Sequence, residues 1–288
     1  MIEVISSGIY TTVQDLGRYG YRDQGIPLCG AMDQRSAIRA NQLCNNPDNA
    51  ALLEMTAIGA TLQFQQNADI ALTGGVVTAT LNDTPVDIER MIHVPSGARL
   101  KIGRISSGIR SYLAVRGGLK SEVIFGSASQ CRYLTLSATI NKGDSLHVHN
   151  ITLIYADTLM KKTPLDQKEI IVYKGPEYHL ASERLKQIIE NNEFVVDPKS
   201  NRMAYQLGKL SEGIPEIITG PVQPGTVQCT PQGDLIVLMR DAQTTGGYGR
   251  ILQLTEESIN VLAQKRAGER LAFTVQGSET HKTLNPKP

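Results

Sequence analysis

The sequence predicts a mainly β protein with a few helices, an α+β chain built as two β-rich subdomains, and three observations carry that prediction. From Asp69 to Gly118 short runs rich in Val, Ile, Leu and Thr alternate with Gly, Asn, Asp and Pro, the pattern of half-buried strands joined by tight turns. A turn glycine followed by an alternating strand recurs at Gly97–Leu100, Gly143–Leu146 and Gly268–Leu271, near the end of each half, as two similarly built modules would require. The length of 288 residues, 31.4 kDa, is enough for two ordinary domains with their own cores. Each module is expected to be a barrel or a pair of packed sheets.

Taken in order, the turn-rich stretch Gly25 to Asp33 ends in a good helix N-cap at Asp33. The helix carries Ala37, Ala40 and Cys44 at helical spacing until Asn45, Asn46 and Pro47 stop it. Asn41 shares that face and is expected to satisfy nearby backbone. Glu54 lies in the apolar run AALLEMTAIG. It is either a carboxyl with a raised pKa, available as acid or base, or half of a salt bridge. The polar stretch Asp157 to Gln167 reads as a connector, which divides the chain at Asp166 into subdomains 1–166 and 167–288. A strand from Glu169 to Tyr173 and a helix with Leu185, Ile188 and Ile189 on its apolar face follow. Arg202 is either a two-pronged clamp for carboxylate or phosphate or part of a structural ion pair. Leu235 to Met239 is a buried strand, Thr255 caps a helix with Glu256 and Glu257 at its positive end, and Gly268 opens the last strand. The tail from Gly277 is expected to be loose.

Composition narrows the function classes. A formal charge of +1 gives no electrostatic reason for nucleic-acid or membrane binding. The N-terminus MIEVISS has no signal-peptide pattern and no apolar run reaches membrane-spanning length, so a cytoplasmic protein is expected. Cys29, Cys44, Cys131 and Cys229 are scattered without a CxxC, which predicts reduced, mostly buried thiols rather than zinc or a disulfide framework. His147 and His149 can share one strand face, but two ligands make half a metal site, and no metal site is assigned.

Two polar, glycine-containing runs carry the candidate chemistry. Asp241 to Arg250, DAQTTGGYGR, follows the buried strand, and Thr11 to Tyr21, TTVQDLGRYGY, repeats its residue types near the N-terminus. Glycines let backbone N–H groups approach an anion or planar amide, while hydroxyls and charges surround them. The alternative is a pair of glycine-rich turns that satisfy only themselves. Asp241, Arg202, Arg250 and Asp15 are the candidate catalytic groups. Thr11, Thr12, Gln14, Arg18, Gln243, Thr244, Thr245, Gly246, Gly247 and Tyr248 are the candidate substrate contacts. The two runs are expected to converge on one cleft. Ala114 to Ser121, AVRGGLKS, lacks the spacing of a conventional phosphate loop.

In this order, TTVQDLGRYGY, GIPLCGAMD, SYLAVRGGL, SNRMAYQL and VLMRDAQTTGGYGR resemble the family that contains the C subunit of 5-oxoprolinase, allophanate hydrolase subunit 2-like proteins and the Kip-system protein that antagonises a kinase inhibitor, also described as a biotin-dependent carboxyltransferase-type domain. The resemblance runs to about Phe273 and implies two β-rich subdomains of cyclophilin-like barrel architecture. The chain departs from the family pattern at Asn201, Ala204 and Gln206, where a carboxylate, a glycine and a second arginine are usual, and at Ala128, Gln130 and Gly249. The activity implied is ATP-dependent opening of 5-oxo-L-proline to L-glutamate, with ATP and Mg at a site shared with companion proteins that resemble the B and A subunits of 5-oxoprolinase. Two alternatives follow from the same family: carboxyl transfer from biotin on a separate carrier to a urea-like amide, and a non-enzymatic regulator that binds a kinase inhibitor.

Overall fold

The structure, a computed structural model, describes residues 1–149 and 152–277. The first sheet contains β1 (Ile2–Ser6), β2 (Tyr10–Gln14), β3 (Leu52–Thr56), β4 (Thr61–Phe64), β5 (Ala68–Leu81), β6 (Thr84–Val86), β7 (Met91–Val94), β8 (Arg99–Val115), β9 (Leu119–Lys120) and β10 (Ser145–Val148). Its main path runs β2-β3-β8-β4-β1-β10-β9, and β5 pairs with β8, β6 and β7. The second half supplies β11 (Glu169–Lys174), β12 (Glu193–Val195), β13 (Ala204–Lys209), β14 (Gly220–Pro221), β15 (Thr226–Cys229), β16 (Asp234–Leu238), β17 (Thr245–Gly246), β18 (Gly249–Leu254) and β19 (Arg270–Val275). Seven of these form a sheet in the order β12-β19-β11-β18-β15-β16-β13, and β14 and β17 make a separate two-stranded ribbon. The fold is mainly β, and each large sheet curls into a nearly closed barrel.

Bulges produce the curl in the first sheet. The long strands β5 and β8 slip register between Gly74 and Ala79, which bends the pair and increases its twist. Gly74 has a φ of +92°, and a Cβ there would meet the Arg110 carbonyl at 2.7 Å. Alternation then sends Ile70, Leu72, Leu100, Ile102, Leu113 and Val115 into one core, and Ile170, Val172, Leu271 and Phe273 into the other. The three turn glycines of the recurring unit, Gly97, Gly143 and Gly268, all have positive φ and lead into β8, β10 and β19.

Three α-helices among the described residues complete the frame. α1 (Gln34–Leu43) starts at Asp33, whose carboxylate accepts from the Ser36 N–H at 3.1 Å. Its small residues Ala37 and Ala40, with Cys44, pack on Leu52, Ala71, Tyr112 and Ala114 outside the first barrel. Asn41 donates to the carbonyls of Asp48 and Ala50, as expected. α2 (Glu183–Asn191) is capped by Ser182 and buries Leu185 and Ile189. α3 (Glu256–Ala263) is capped by Thr255. No helix among the described residues is long and apolar enough to cross a membrane. The tail expected to be loose lies, from residue 278 onward, outside the described residues.

One thiol expectation is corrected. Cys29 and Cys131, 6.4 Å apart between Cα atoms, are joined as a disulfide, whereas Cys44 and Cys229 are free and buried. The two bonded residues are separated by 102 positions, and such a meeting is set by how loops pack, not by local spacing.

The barrels are locked together by polar groups as well as by Met32, which inserts into the second core. Gln264, at the end of α3, accepts from the N–H groups of Ile109 and Arg110 at 3.1 and 3.0 Å. Its amide donates to Asp33 at 2.8 Å and to the Arg110 carbonyl at 3.1 Å. Gln264→Met keeps the volume but orphans those buried partners, so equilibrium denaturation is expected to show a loss of about 2–4 kcal/mol. An unchanged denaturation midpoint would exclude Gln264 as the lock.

Candidate active-site cleft

Strand register builds the floor of the site. Tyr10 pairs with Thr56 and Thr56 with Arg110, so three adjacent strands present these residues in one row. Two positions along each strand, Thr12, Glu54 and Tyr112 form a second row. A period of two places both rows on the same sheet face, and that face meets the second barrel.

Glu54, 1% exposed, is the centre of the contact. One carboxylate oxygen accepts from the Met32 N–H at 2.7 Å and the Tyr112 hydroxyl at 2.9 Å. The other accepts from Arg202 Nη1 and lies 3.6 Å from Arg110 Nε. Of the two readings open for Glu54 and Arg202, the structure shows the ion pair. Arg202 also donates from Nε and Nη2 to the two oxygens of Asp241 at 2.8 and 2.9 Å, and from Nη2 to the Gly30 carbonyl at 2.6 Å. Burial disfavours its charge, yet Asp241 and Glu54 outweigh that penalty and push the Arg202 pKa above the ordinary arginine value. Every nitrogen of this guanidinium is engaged.

Above the network opens a cleft of about 800 Å³ between the barrels. Its apolar wall includes Ile26, Pro27, Ile109 and Leu134, and its polar lining includes Tyr10, Arg110, Arg132, Asp197, Asn201, Asp241, Gln243 and Lys265. Burial is the main cause that raises the Tyr10 pKa, and the charges of Arg202, Asp241, Glu54 and Arg110 all act on it. Burial lowers that of Lys265.

Of the sequence-derived candidates, Arg202, Asp241 and Gln243 line this cleft. The rest of the second run turns away from it. Thr244 is buried with its carbonyl accepting from Val222, and Thr245 and Gly246 form β17 against β14. Gly247 accepts from the Ile217 N–H at 2.9 Å, and the Tyr248 carbonyl accepts from Gln228 at 3.4 Å. The glycines here accommodate protein rather than open a backbone cradle: a Cβ at Gly246 would meet Gln228 at 2.6 Å, and one at Gly249 would meet Ile214 at 2.1 Å. Arg250 pairs through Nε and Nη2 with Glu177 at 2.8 and 2.7 Å, in a network separate from that of Asp241.

The first run braces a wall. Thr11 donates to the Ser7 carbonyl at 2.6 Å, Thr12 accepts from Gln14 at 3.0 Å, and Gln14 donates to the Gln130 carbonyl at 3.0 Å. Asp15 accepts from Gly17, Ser127, Ala128 and Ser129 at 2.6 to 2.8 Å. Arg18, fully buried, donates to the carbonyls of Ile124 and Ser129. These bonds and the disulfide hold the loop that carries Arg132 to Leu134 into the cleft. The expected convergence of the two runs is therefore corrected: no residue from Thr11 to Tyr21 lines the cleft, which is bordered by Asp241 and Gln243 of the second run and by Tyr10, just outside the first. Sequence reasoning missed Tyr10, Thr56, Arg110, Arg132 and Lys265. Arg110 alone left a signal, as a charged residue inside the strand-like run IRSYLAV.

Two barrels joined over a buried ion-pair network, with a cleft at their seam, define a carboxyltransferase-type domain pair. The profile of the family described as carboxyltransferase domain, subdomain A and B, matches residues 24–275, and the chain belongs to that family. It is 35% identical over 280 residues to the C subunit of 5-oxoprolinase from Escherichia coli (strain K12), with 95% of this chain and 90% of that protein covered. Identity to the C subunit of 5-oxoprolinase from Haemophilus influenzae is 32% over 281 residues, with 95% and 90% covered. The solved Kluyveromyces lactis urea carboxylase superposes with a TM-score of 0.84 at 28% identity, over 94% of this chain and 27% of that one.

Two outcomes test this geometry. Glu54→Leu leaves Arg202 and Arg110 short of a counter-charge and is expected to destabilise the fold by about 3–5 kcal/mol, while Glu54→Leu with Arg202→Leu recovers much of the loss; additivity in denaturant titrations would refute the coupling. Hydrogen bonds from Arg250 chiefly lower the Glu177 pKa. A depressed folded-state pKa gives stability that is present above the usual carboxylate value and lost as pH falls through the folded one. Glu177→Gln should therefore flatten part of the acid limb of a melting-temperature profile below about pH 4.5, and a parallel profile would reject the linkage.

Proposed function

We propose that this chain is one component of an ATP-dependent 5-oxoprolinase, which opens the lactam of 5-oxo-L-proline to L-glutamate together with companions resembling the B and A subunits of that enzyme. Two relatives that match nearly the whole chain are named as the C subunit of 5-oxoprolinase, and the cleft carries the reading. Arg110, Arg132 and Lys265 line it in addition to Arg202, whose charge is already met by Asp241 and Glu54. A small, largely apolar ring bearing one carboxylate suits such a lining. In the net reaction water supplies the oxygen that bonds to the lactam carbon, the C–N bond breaks, and the ring nitrogen leaves as the amine. Asp241 commits its oxygens to Arg202 but borders the cleft, where it can orient water or the ring N–H. Asp15, saturated by four donors, belongs to the wall.

The glycine run does not fit a triphosphate cradle, because its backbone is paired with β14 and its arginine with Glu177. No step on this chain is routed through nucleotide. Under this reading ATP and Mg bind on a companion protein or at a surface shared with one. The second reading is carboxyl transfer to a urea-like amide, favoured by the superposition on urea carboxylase, and it needs biotin on a separate carrier.

The test is reconstitution. ATP turnover that depends on 5-oxoproline and on both this chain and its companions is expected, with none from the chain alone. Transfer from carboxybiotin without such turnover would replace the first reading by the second. Asp241→Asn, assayed below its melting transition, is expected to reduce turnover roughly 10²-fold.

A further inference from the structure

We propose that Tyr10 and Arg110 form the seat for the substrate, Arg110 receiving its carboxylate and Tyr10 donating to its amide oxygen across the short side chain of Thr56. The inference rests on the reading of the cleft as a lactam site and gives that site its recognition groups. Arg202, which has the better sequence motif, spends four of its five N–H groups on Glu54, Asp241 and Gly30 and leaves no nitrogen unbonded. Arg110 has a terminal nitrogen with no such bond. Its Nη1 donates to the Tyr205 hydroxyl at 2.7 Å and to the Ala263 carbonyl, and its Nε lies 3.6 Å from Glu54. Nη2 has no hydrogen-bond partner among the described residues, and it is absent from the fully enclosed unpaired atoms, which include Nε of the same side chain. Arg110 lines the cleft, so a ligand bound there can meet the open nitrogen.

The strand register supplies the geometry. Tyr10, Thr56 and Arg110 are directly cross-paired on β2, β3 and β8. Adjacent strands lie about 4.8 Å apart, so the outer two backbones are separated by roughly 10 Å. Two long side chains therefore flank a short one, and a notch opens above Thr56. All three residues line the cleft. The width admits a five-membered ring bridging a guanidinium on one side and a phenol on the other. Tyr10 is 37% exposed, and its hydroxyl has no hydrogen-bond partner among the described residues. The phenol stays protonated, since burial raises its pKa, and a protonated phenol serves as a donor to an oxygen that gains negative charge when the lactam carbon is attacked. Arg110 is held rigid by the second barrel, so little side-chain freedom is lost on binding.

Binding and turnover measured separately distinguish this seat from the proposed reaction. Binding to the full chain is measured by calorimetry with three probes: 5-oxo-L-proline, cyclopentanecarboxylate, which lacks the lactam, and 2-pyrrolidone, which lacks the carboxylate. Turnover of 5-oxoproline is measured in the reconstituted assembly. Arg110→Lys keeps a charge but loses the planar fork, and is expected to weaken both carboxylates about tenfold while leaving 2-pyrrolidone unchanged. Tyr10→Phe alters a half-exposed residue and should leave melting unchanged. Its expected effect is a fall in kcat of about 10²-fold, with KM changed less than about threefold. Thr56→Leu fills the notch and should weaken all three probes. Equal losses for the probes with and without a carboxylate in Arg110→Lys, or wild-type kcat in Tyr10→Phe, would overturn the seat even where the assembly turns over 5-oxoproline. Failure of the wild-type chain to bind either carboxylate would overturn it too. Probe-selective losses in an assembly that does not hydrolyse 5-oxoproline would sustain the seat and reject the reaction.

Discussion

The buried carboxylate of Glu54 is the constraint on which the rest of the structure depends. It sits on the outer face of β3, buried where the second barrel docks, and an unpaired charge there would be untenable. Its partners come from three directions: Tyr112 and Arg110 from β8, the Met32 N–H from the approach to α1, and Arg202 from the second barrel. Satisfying Glu54 therefore requires both barrels to be docked. Asp241 completes the set by neutralising the second arginine, so two carboxylates and two guanidiniums share the seam. Such a cluster contributes less net stability than its charges suggest, because desolvation offsets attraction. Its structural effect is orientation, since only one docking of the barrels satisfies all four groups.

That docking also makes the cleft. The seam cannot close over the row of Tyr10, Thr56 and Arg110, since the second barrel is held at Arg202, Tyr205 and Gln264. The remaining wall is a loop with little regular structure, and its placement depends on the Asp15 carboxylate, the Arg18 guanidinium and the Cys29–Cys131 bond. Residues chosen for their chemical appearance in the first polar run thus act at one remove, by setting where Arg132, Tyr133 and Leu134 stand.

The second polar run shows the same division. Asp241 and Gln243 reach the cleft, whereas the residues from Thr244 to Arg250 build a ribbon against Gly220 and Pro221 and an ion pair with Glu177. A glycine within such a run has two physical readings, backbone offered to a ligand or space yielded to a neighbour. Ile214 and Gln228 decide for the second at Gly249 and Gly246. These neighbours come from other segments, and nothing in the run itself names them.

Local pattern determined much of this protein. The alternation that makes the strands, the caps at Asp33 and Thr255, the turn glycines at Gly97, Gly143 and Gly268, and the backbone role of Asn41 all depend on residues within a few positions, so they were legible in sequence. Arg202 and Asp241 could be singled out, but not their bond to each other or to Glu54. Tyr10 and Arg110 carried no motif, and Cys29 no hint of Cys131. Those features belong to the tertiary structure for one reason: cross-strand register and barrel docking bring together residues up to 231 positions apart, and the chemistry of each depends on a partner that its own neighbourhood does not contain.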